Sequence, residues 1–188
     1  MTTPASARFF VALLPPQAVQ DQIIAIQHEI WQRFGSKAAL RSPPHITLQP
    51  PFLWPTERLG DLKQPLATFA QAHPPVPIEL AGFNAFAPRV IYVDVHPSPR
   101  LMALQPALMA HLAATCALSD PVSLTRPFRP HITVGFRDLS PAAFGLAWPE
   151  FEHRPFAAQF VVPCLTLLRH DGQVWQIGAD FPFGSPNP

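Results

Sequence analysis

A chain of 188 residues is long enough for one sizeable core or two small lobes and too short for two ordinary enzyme domains, so residues 1–188 read as a single bilobal domain. Hydrophobic residues make up 48% and charged residues 13%, which excludes a disordered chain, and the 26 prolines are spread between apolar segments rather than gathered in one tail. A net charge of +1 excludes the basic stripe of a protein that grips long nucleic acid by its backbone, so a nucleic-acid substrate would be a terminus or a small nucleotide.

In chain order, Arg8 to Leu14 is an aromatic and aliphatic run that reads as a buried strand, stopped by Pro15-Pro16. Pro16 suits the start of a helix, and Val19, Ile23, Ile26, Ile30 and Phe34 then give one apolar helical face that ends at Gly35. Residues 36–44 form a polar, Pro-rich approach to a strand over His45 to Gln49. Pro50-Pro51 should end that strand, leaving Phe52-Leu53-Trp54 as a loop. Thr56 is a candidate N-cap for a helix to about Ala72, although Gly60 and Pro65 weaken its first part. Strands follow at Val76 to Phe86 and Val90 to Val95, then a helix from Ser98 to about Leu118 with Leu101, Leu104, Leu108 and Leu112 on one face. A loop holding Arg126 and Arg129 leads to a strand from His131 to Phe136, and Ser140-Pro141 opens another helix. Two more strands are expected at 156–162 and 165–169. Asp171-Gly172 makes a hairpin, Val174 to Ile177 is the last strand, and the tail from Gly184 should fray. The pattern is α+β.

The early apolar run, Phe9 to Leu14, is too short for a signal-peptide core or a membrane span. Cys116 and Cys164 lie far apart in no metal-like spacing, which fits a reducing compartment. The expectation is a cytoplasmic protein, monomeric, with no membrane association and no obligate protein partner.

One stretch occurs twice. Pro44-His45-Ile46-Thr47 returns as Pro130-His131-Ile132-Thr133, each copy after a basic, Pro-containing approach and shortly before a Phe (Phe52, Phe136). From this composition the tetrapeptide is expected on the order of 0.003 times per chain, so two copies point to an internal duplication. On a strand, residues i and i+2 share a face, which puts His45 beside Thr47 and His131 beside Thr133. Two such strands facing each other across a cleft supply what in-line phosphodiester cleavage needs. One imidazole takes a proton from water or a ribose hydroxyl, the other protonates the departing oxygen, and the Thr hydroxyls donate to the phosphate oxygens as charge builds. A duplicated structural strand is the competing explanation. A metal centre is the weaker one, since there is no H-E-x-x-H, no Cys pair and no carboxylate beside either His. No metal and no cofactor are expected.

Around the paired segments, Arg129 is a candidate phosphate clamp, whereas Arg126 reads more simply as a solvated loop charge. Phe10, Phe52 and Phe136 are candidates to stack on a base, and Tyr92, the only Tyr, could turn its hydroxyl into the cleft. The other six His, His170 among them, read as surface or satisfied polar residues.

These residues resemble the two-histidine (2H) phosphoesterase superfamily, which includes 2'-5' RNA ligase-like proteins and RNA 2',3'-cyclic phosphodiesterases. The resemblance runs from the opening strand at 8–13 through both His-x-Thr motifs and the strand at 89–95 to the hairpin at 165–172. It implies two pseudo-symmetric lobes, each an antiparallel sheet backed by helices, with His45, Thr47, His131 and Thr133 at the matching catalytic positions. The implied activity is metal-independent opening of a 2',3'-cyclic phosphate, at an RNA end or on a small nucleotide, to a 2'-phosphate, with 2'-5' ligation as the reverse. The alternatives are a 2'-5' or cyclic-oligonucleotide phosphodiesterase and a non-catalytic nucleotide- or RNA-end-binding module. Which His is acid and which is base does not follow from the sequence.

Overall fold

The computed structural model describes residues 5–119 and 126–185. Among these residues eight strands form two four-stranded antiparallel sheets. The first has the order β2 (Ile46–Pro55), β1 (Ser6–Leu13), β7 (Cys164–His170), β8 (Trp175–Pro182). The second has the order β5 (His131–Gly135), β4 (Val90–Val95), β3 (Val76–Phe86), β6 (Ala157–Val162). The two orders correspond strand for strand, and the strands that follow or carry the two histidines, β2 and β5, occupy matching edges. The architecture is α+β with two similar lobes.

The helices are exchanged between the lobes. Helix α1 (Gln17–Phe34) follows a strand of the first sheet but packs on β5 and on α4 (Pro141–Phe151), whereas α3 (Pro99–Cys116) follows a strand of the second sheet and packs on α2 (Leu59–Gln71) and β2 as well as on β3 of its own sheet. One buried apolar cluster therefore runs through both sheets, from Phe9 and Leu13 to Ile91 and Val134. Local signals set the helix ends as their chemistry requires. Gly35 adopts φ +80°, a left-handed conformation that other residues resist, and its N–H returns to the Trp31 carbonyl. The Ser98 and Ser140 hydroxyls accept from the third helical N–H (Leu101, Ala143), with Pro99 and Pro141 at the first helical position.

Several expectations need correction. Strand β2 does not stop at Pro50-Pro51 but runs to Pro55, so 52–54 is strand rather than loop. The strand is an edge, where a missing N–H costs no ladder bond, and the register slips between Phe9 and Val11 to absorb the prolines as a bulge. Thr56 opens a short 3-10 turn, and α2 begins only at Leu59. Pro65 is nonetheless tolerated inside α2. The carbonyl it leaves without an N–H partner, that of Asp61, lies 3.8 Å from the Cys116 thiol, which donates to it. The last strand continues beyond Ile177 to Pro182; Gly178 sits at a register shift rather than in a turn. Residues 36–44 contain a 3-10 turn at Ala38–Arg41. Of the tail expected to fray, residues 186–188 lie outside the described residues. Among the described residues no helix is long and apolar enough to cross a membrane.

Candidate active site

His45 stands immediately before β2 and His131 opens β5, so both rings project from the sheet edges into one cleft of about 350 Å3. Thr47 and Thr133 line the same cleft, as the i, i+2 spacing requires. The two histidines are held alike. Nδ1 of His45 lies 2.7 Å from the carbonyl of Pro43, and Nδ1 of His131 lies 2.7 Å from the carbonyl of Arg129. A carbonyl can only accept, so in each ring Nδ1 carries the proton and donates. Each neutral imidazole then keeps its lone pair on Nε2.

Burial sets the charge of the pair. Together with repulsion from a proton on His131, it drives the His45 imidazole down to about 4, against the Pro43 carbonyl. His131 is lowered as well, again by burial, but the Arg129 carbonyl and the carboxylate of Asp94 oppose the shift. Asp94 faces His131 across the β4–β5 ladder. Both rings are therefore neutral at neutral pH, and the first proton taken up by the pair goes to His131.

The exchanged helices reach back to the strands they cover. Gln27 of α1 donates through Nε2 to the Thr133 carbonyl at 3.0 Å, and Gln105 of α3 donates to the Leu48 carbonyl at 3.3 Å. Thus each lobe's histidine segment is fastened by a glutamine on the helix that crosses from the other lobe's sequence. Gln27 is 2% exposed, and because a carbonyl faces its Nε2, the amide orientation is fixed. A second fastening holds the cleft wall. Asp138 accepts from the Ser36 hydroxyl at 2.6 Å and from the N–H groups of Lys37 and Ala38 at 2.9 Å, tying the 3-10 turn that bears Arg41 to the segment after β5.

An aromatic wall completes the cleft. The Phe10 ring lies 4.6 Å from that of His45 and 4.6 Å from that of Trp175, which in turn meets His170 edge-on at 4.8 Å. The Arg8 guanidinium sits 5.4 Å from the centre of the Trp175 ring. Among the described residues no group of three or more His, Cys, Asp or Glu is placed to hold a metal ion.

Residues 15–174 match the model of the 2'-5' RNA ligase superfamily. The chain belongs to this superfamily, whose members are the 2H phosphoesterases. It is 33% identical over 139 residues to a protein of Geobacillus kaustophilus named as a phosphoesterase, covering 73% of each chain. It is 31% identical over 131 residues to a Bacillus pumilus protein of the same name, covering 68% of each. The fold is shared with the crystal structure of a Thermus thermophilus protein (TM-score 0.69, 21% identity, 96% of this chain and 100% of the other). It is shared equally with Escherichia coli LigT crystallised with ATP (TM-score 0.68, 22% identity, 96% and 100%).

Within this 2H phosphoesterase, the residues singled out by sequence separate into three groups. His45, Thr47, His131, Thr133, Phe10 and Phe136 all line the cleft. Arg129 lies beside it, in an adjoining hollow that shares Thr47 and His131. Two do not reach the cleft. Phe52 turns its ring toward Phe9, 6.3 Å away, and packs on the core, because β2 continues past the prolines and keeps it in register with that residue. Tyr92 is 5% exposed and lies behind His131, with ring centres 5.0 Å apart, so it backs the imidazole instead of lining the cleft. Burial, and then the Asp94 charge, push its phenol up, which keeps it protonated. Sequence reasoning passed over Arg8, Gln27, Arg41, His170 and Trp175, all of which line the cleft. His170 and Trp175 are paired across the β7–β8 hairpin, and only the sheet order brings them beside Phe10.

Proposed function

We propose that this protein opens 2',3'-cyclic phosphates to 2'-phosphates with its two imidazoles as an acid–base pair and no metal ion in the reaction. The observation that carries the reading is the matched anchoring of His45 and His131, each with Nδ1 donating to the carbonyl two residues upstream and each lining the same cleft with its Thr. One Nε2 lone pair takes a proton from water as the water oxygen bonds to phosphorus; the P–O3' bond breaks, and the other imidazole, protonated, returns a proton to the leaving 3' oxygen. The hydroxyls of Thr47 and Thr133 donate to the non-bridging oxygens as charge builds on them. Atoms and charge balance, and the pair ends with its proton moved from one ring to the other.

The acid must be charged before it can act, and burial disfavours that in the empty cleft. A phosphodiester anion between the rings supplies the compensating charge, so substrate binding is what loads the proton. The base and ribose have a surface to meet in Phe10 and Trp175, with Arg8 beside them. The structural relative LigT has been crystallised with 3'-AMP and with phosphate, ligands of the size and charge this cleft would take. In this reading the protein acts as a cytoplasmic monomer, and the whole bilobal chain is the working unit, since both edges of the cleft are needed for the reaction. Ligation through a 2'-5' bond is the same path reversed, with the roles of the two imidazoles exchanged.

The test is hydrolysis of a 2',3'-cyclic nucleotide in excess EDTA, with phosphorus NMR reading the product. Turnover that survives the chelator and yields only the 2'-phosphate is expected. A 3'-phosphate product would contradict the assigned leaving group, and activity abolished by EDTA would contradict the metal-free mechanism.

A further inference from the structure

The β7–β8 hairpin brings a third histidine to the cleft, one that sequence alone reads as a surface residue. His170 ends β7, faces Trp175 across the ladder and lines the cleft with it. The turn that follows is held from within. Oδ1 of Asp171 accepts from the N–H groups of Gln173 at 2.8 Å and Val174 at 2.9 Å, and its Oδ2 accepts from Gln176 Nε2 at 2.7 Å. Gly172, at φ +110°, turns its N–H back to His170 Nδ1, 3.1 Å away. A backbone N–H can only donate, so Nδ1 is the acceptor and the neutral ring carries its proton on Nε2. This is the reverse of His45 and His131, whose Nδ1 atoms donate to carbonyls. Two histidines thus bring lone pairs to the cleft, and the third brings a hydrogen-bond donor.

The order of the rings places that donor. His45 meets Phe10 at 4.6 Å, Phe10 meets Trp175 at 4.6 Å, and Trp175 meets His170 at 4.8 Å. His170 is therefore three ring contacts removed from the imidazole that works on the phosphate. With the phosphate between His45 and His131 and the base on Phe10 and Trp175, the Nε2–H meets the edge of the base away from the ribose. On that edge uracil and guanine carry an exocyclic oxygen, which accepts, whereas cytosine and adenine carry an exocyclic amine, which donates. A fixed donor pairs with the first kind and is left facing another donor by the second. Stranding a polar group in this way is what makes such a site selective.

We infer that His170 is a specificity-determining residue of the cleft, its Nε2–H selecting a base with an exocyclic oxygen on the far edge, uracil or guanine, over one with an amine. The inference rests on the ring-opening reading of the same site. It gives the Asp171-Gly172 turn a second task, since besides joining β7 to β8 the turn fixes the tautomer of the histidine before it. Uracil and cytosine make the sharpest comparison, because they match in size and stacking face and differ on the edge that His170 meets.

The experiment measures kcat/KM of wild type, His170→Phe and His170→Gln on the 2',3'-cyclic phosphates of uridine and cytidine, with calorimetry of uridine 2'-phosphate and cytidine 2'-phosphate binding. Wild type is expected to favour uridine about tenfold, as one hydrogen bond made against one donor stranded requires. His170→Phe keeps a ring against Trp175 without the donor, so the uridine rate should fall and the ratio approach one. The amide of His170→Gln offers both a donor and an acceptor, so the cytidine rate should rise and close the gap from the other side. A merely structural role for His170 would lower both rates in proportion and leave the ratio where it was, and that outcome overturns the inference. So does equal use of the two substrates by wild type, or a long-range proton–nitrogen NMR spectrum that puts the His170 proton on Nδ1. If neither substrate is turned over, yet wild type binds uridine 2'-phosphate in preference and His170→Phe does not, the base selection stands and the ring-opening reading falls. If there is neither turnover nor selective binding, both fall.

Discussion

At the scale of single residues, the account turns on two imidazoles that are neutral at rest. His45 is held at about 4 by burial, and His131 is lowered by burial too, against the Arg129 carbonyl and the Asp94 charge across the ladder. Proton NMR of the free protein should therefore show both rings titrating below the ordinary 6.5, with His131 the higher. Asp94→Asn should lower His131 further; a ring that titrates above about 6.5 would contradict the burial argument. The same shifts affect stability. Unfolding releases each His to its ordinary value, so between about 6.5 and 4 the unfolded chain binds protons that the folded cleft refuses. The contribution of these residues to stability is whole above about 6.5 and is lost as pH falls toward about 4. Chemical denaturation at pH 7.5 and 4.5 should show a smaller drop for His45→Ala than for wild type. The repeated Pro-His-Ile-Thr was legible in the sequence because strand period alone puts His and Thr on one face. The anchoring of each Nδ1 was not, since it depends on how the preceding loop folds back.

At the scale of elements, each histidine segment is held by a glutamine from a helix that belongs, in sequence, to the other lobe. Gln27→Leu keeps the bulk and removes the unpaired buried Oε1 but deprives the Thr133 carbonyl of its donor, at a net cost of about 1 kcal/mol in unfolding free energy. Because Thr133 moves with its carbonyl, kcat should fall while KM changes little, and Gln105→Leu should act alike on the Thr47 side. A loss of stability with unchanged kcat would leave these glutamines as fastenings of the fold only. Sequence reading located nearly every element but ended two strands early, β2 at Pro50-Pro51 and the last strand at Ile177. Pro50-Pro51 and Gly178 both lie in edge strands, where an unpaired N–H or a bulge is tolerated, and edge position is a property of the sheet order. The misplacement of Phe52 follows from the first of these errors. His170 and Trp175 were overlooked because their nearness to Phe10 exists only once β7 lies beside β1.

At the scale of the whole molecule, exchange of α1 and α3 leaves neither lobe with a complete core of its own. The cleft between the β2 and β5 edges is then fixed by packing on both sides. Denaturant unfolding followed by tryptophan fluorescence and by far-UV circular dichroism should give one coincident transition; two separated transitions would mean that the lobes fold independently. The duplicated motif made two lobes legible in advance. Their mutual dependence was not, because the apolar faces of α1 and α3 do not say which sheet they cover.

The most direct test of the central claim, that His45 and His131 act as one acid–base unit, is the kcat of His45→Ala, His131→Ala and the double variant on a 2',3'-cyclic phosphate. Groups that work as a unit are not additive, so each single variant should lose on the order of a thousandfold or more and the double variant should be scarcely worse than either. Single variants within about tenfold of wild type, or losses that multiply in the double variant, would contradict it.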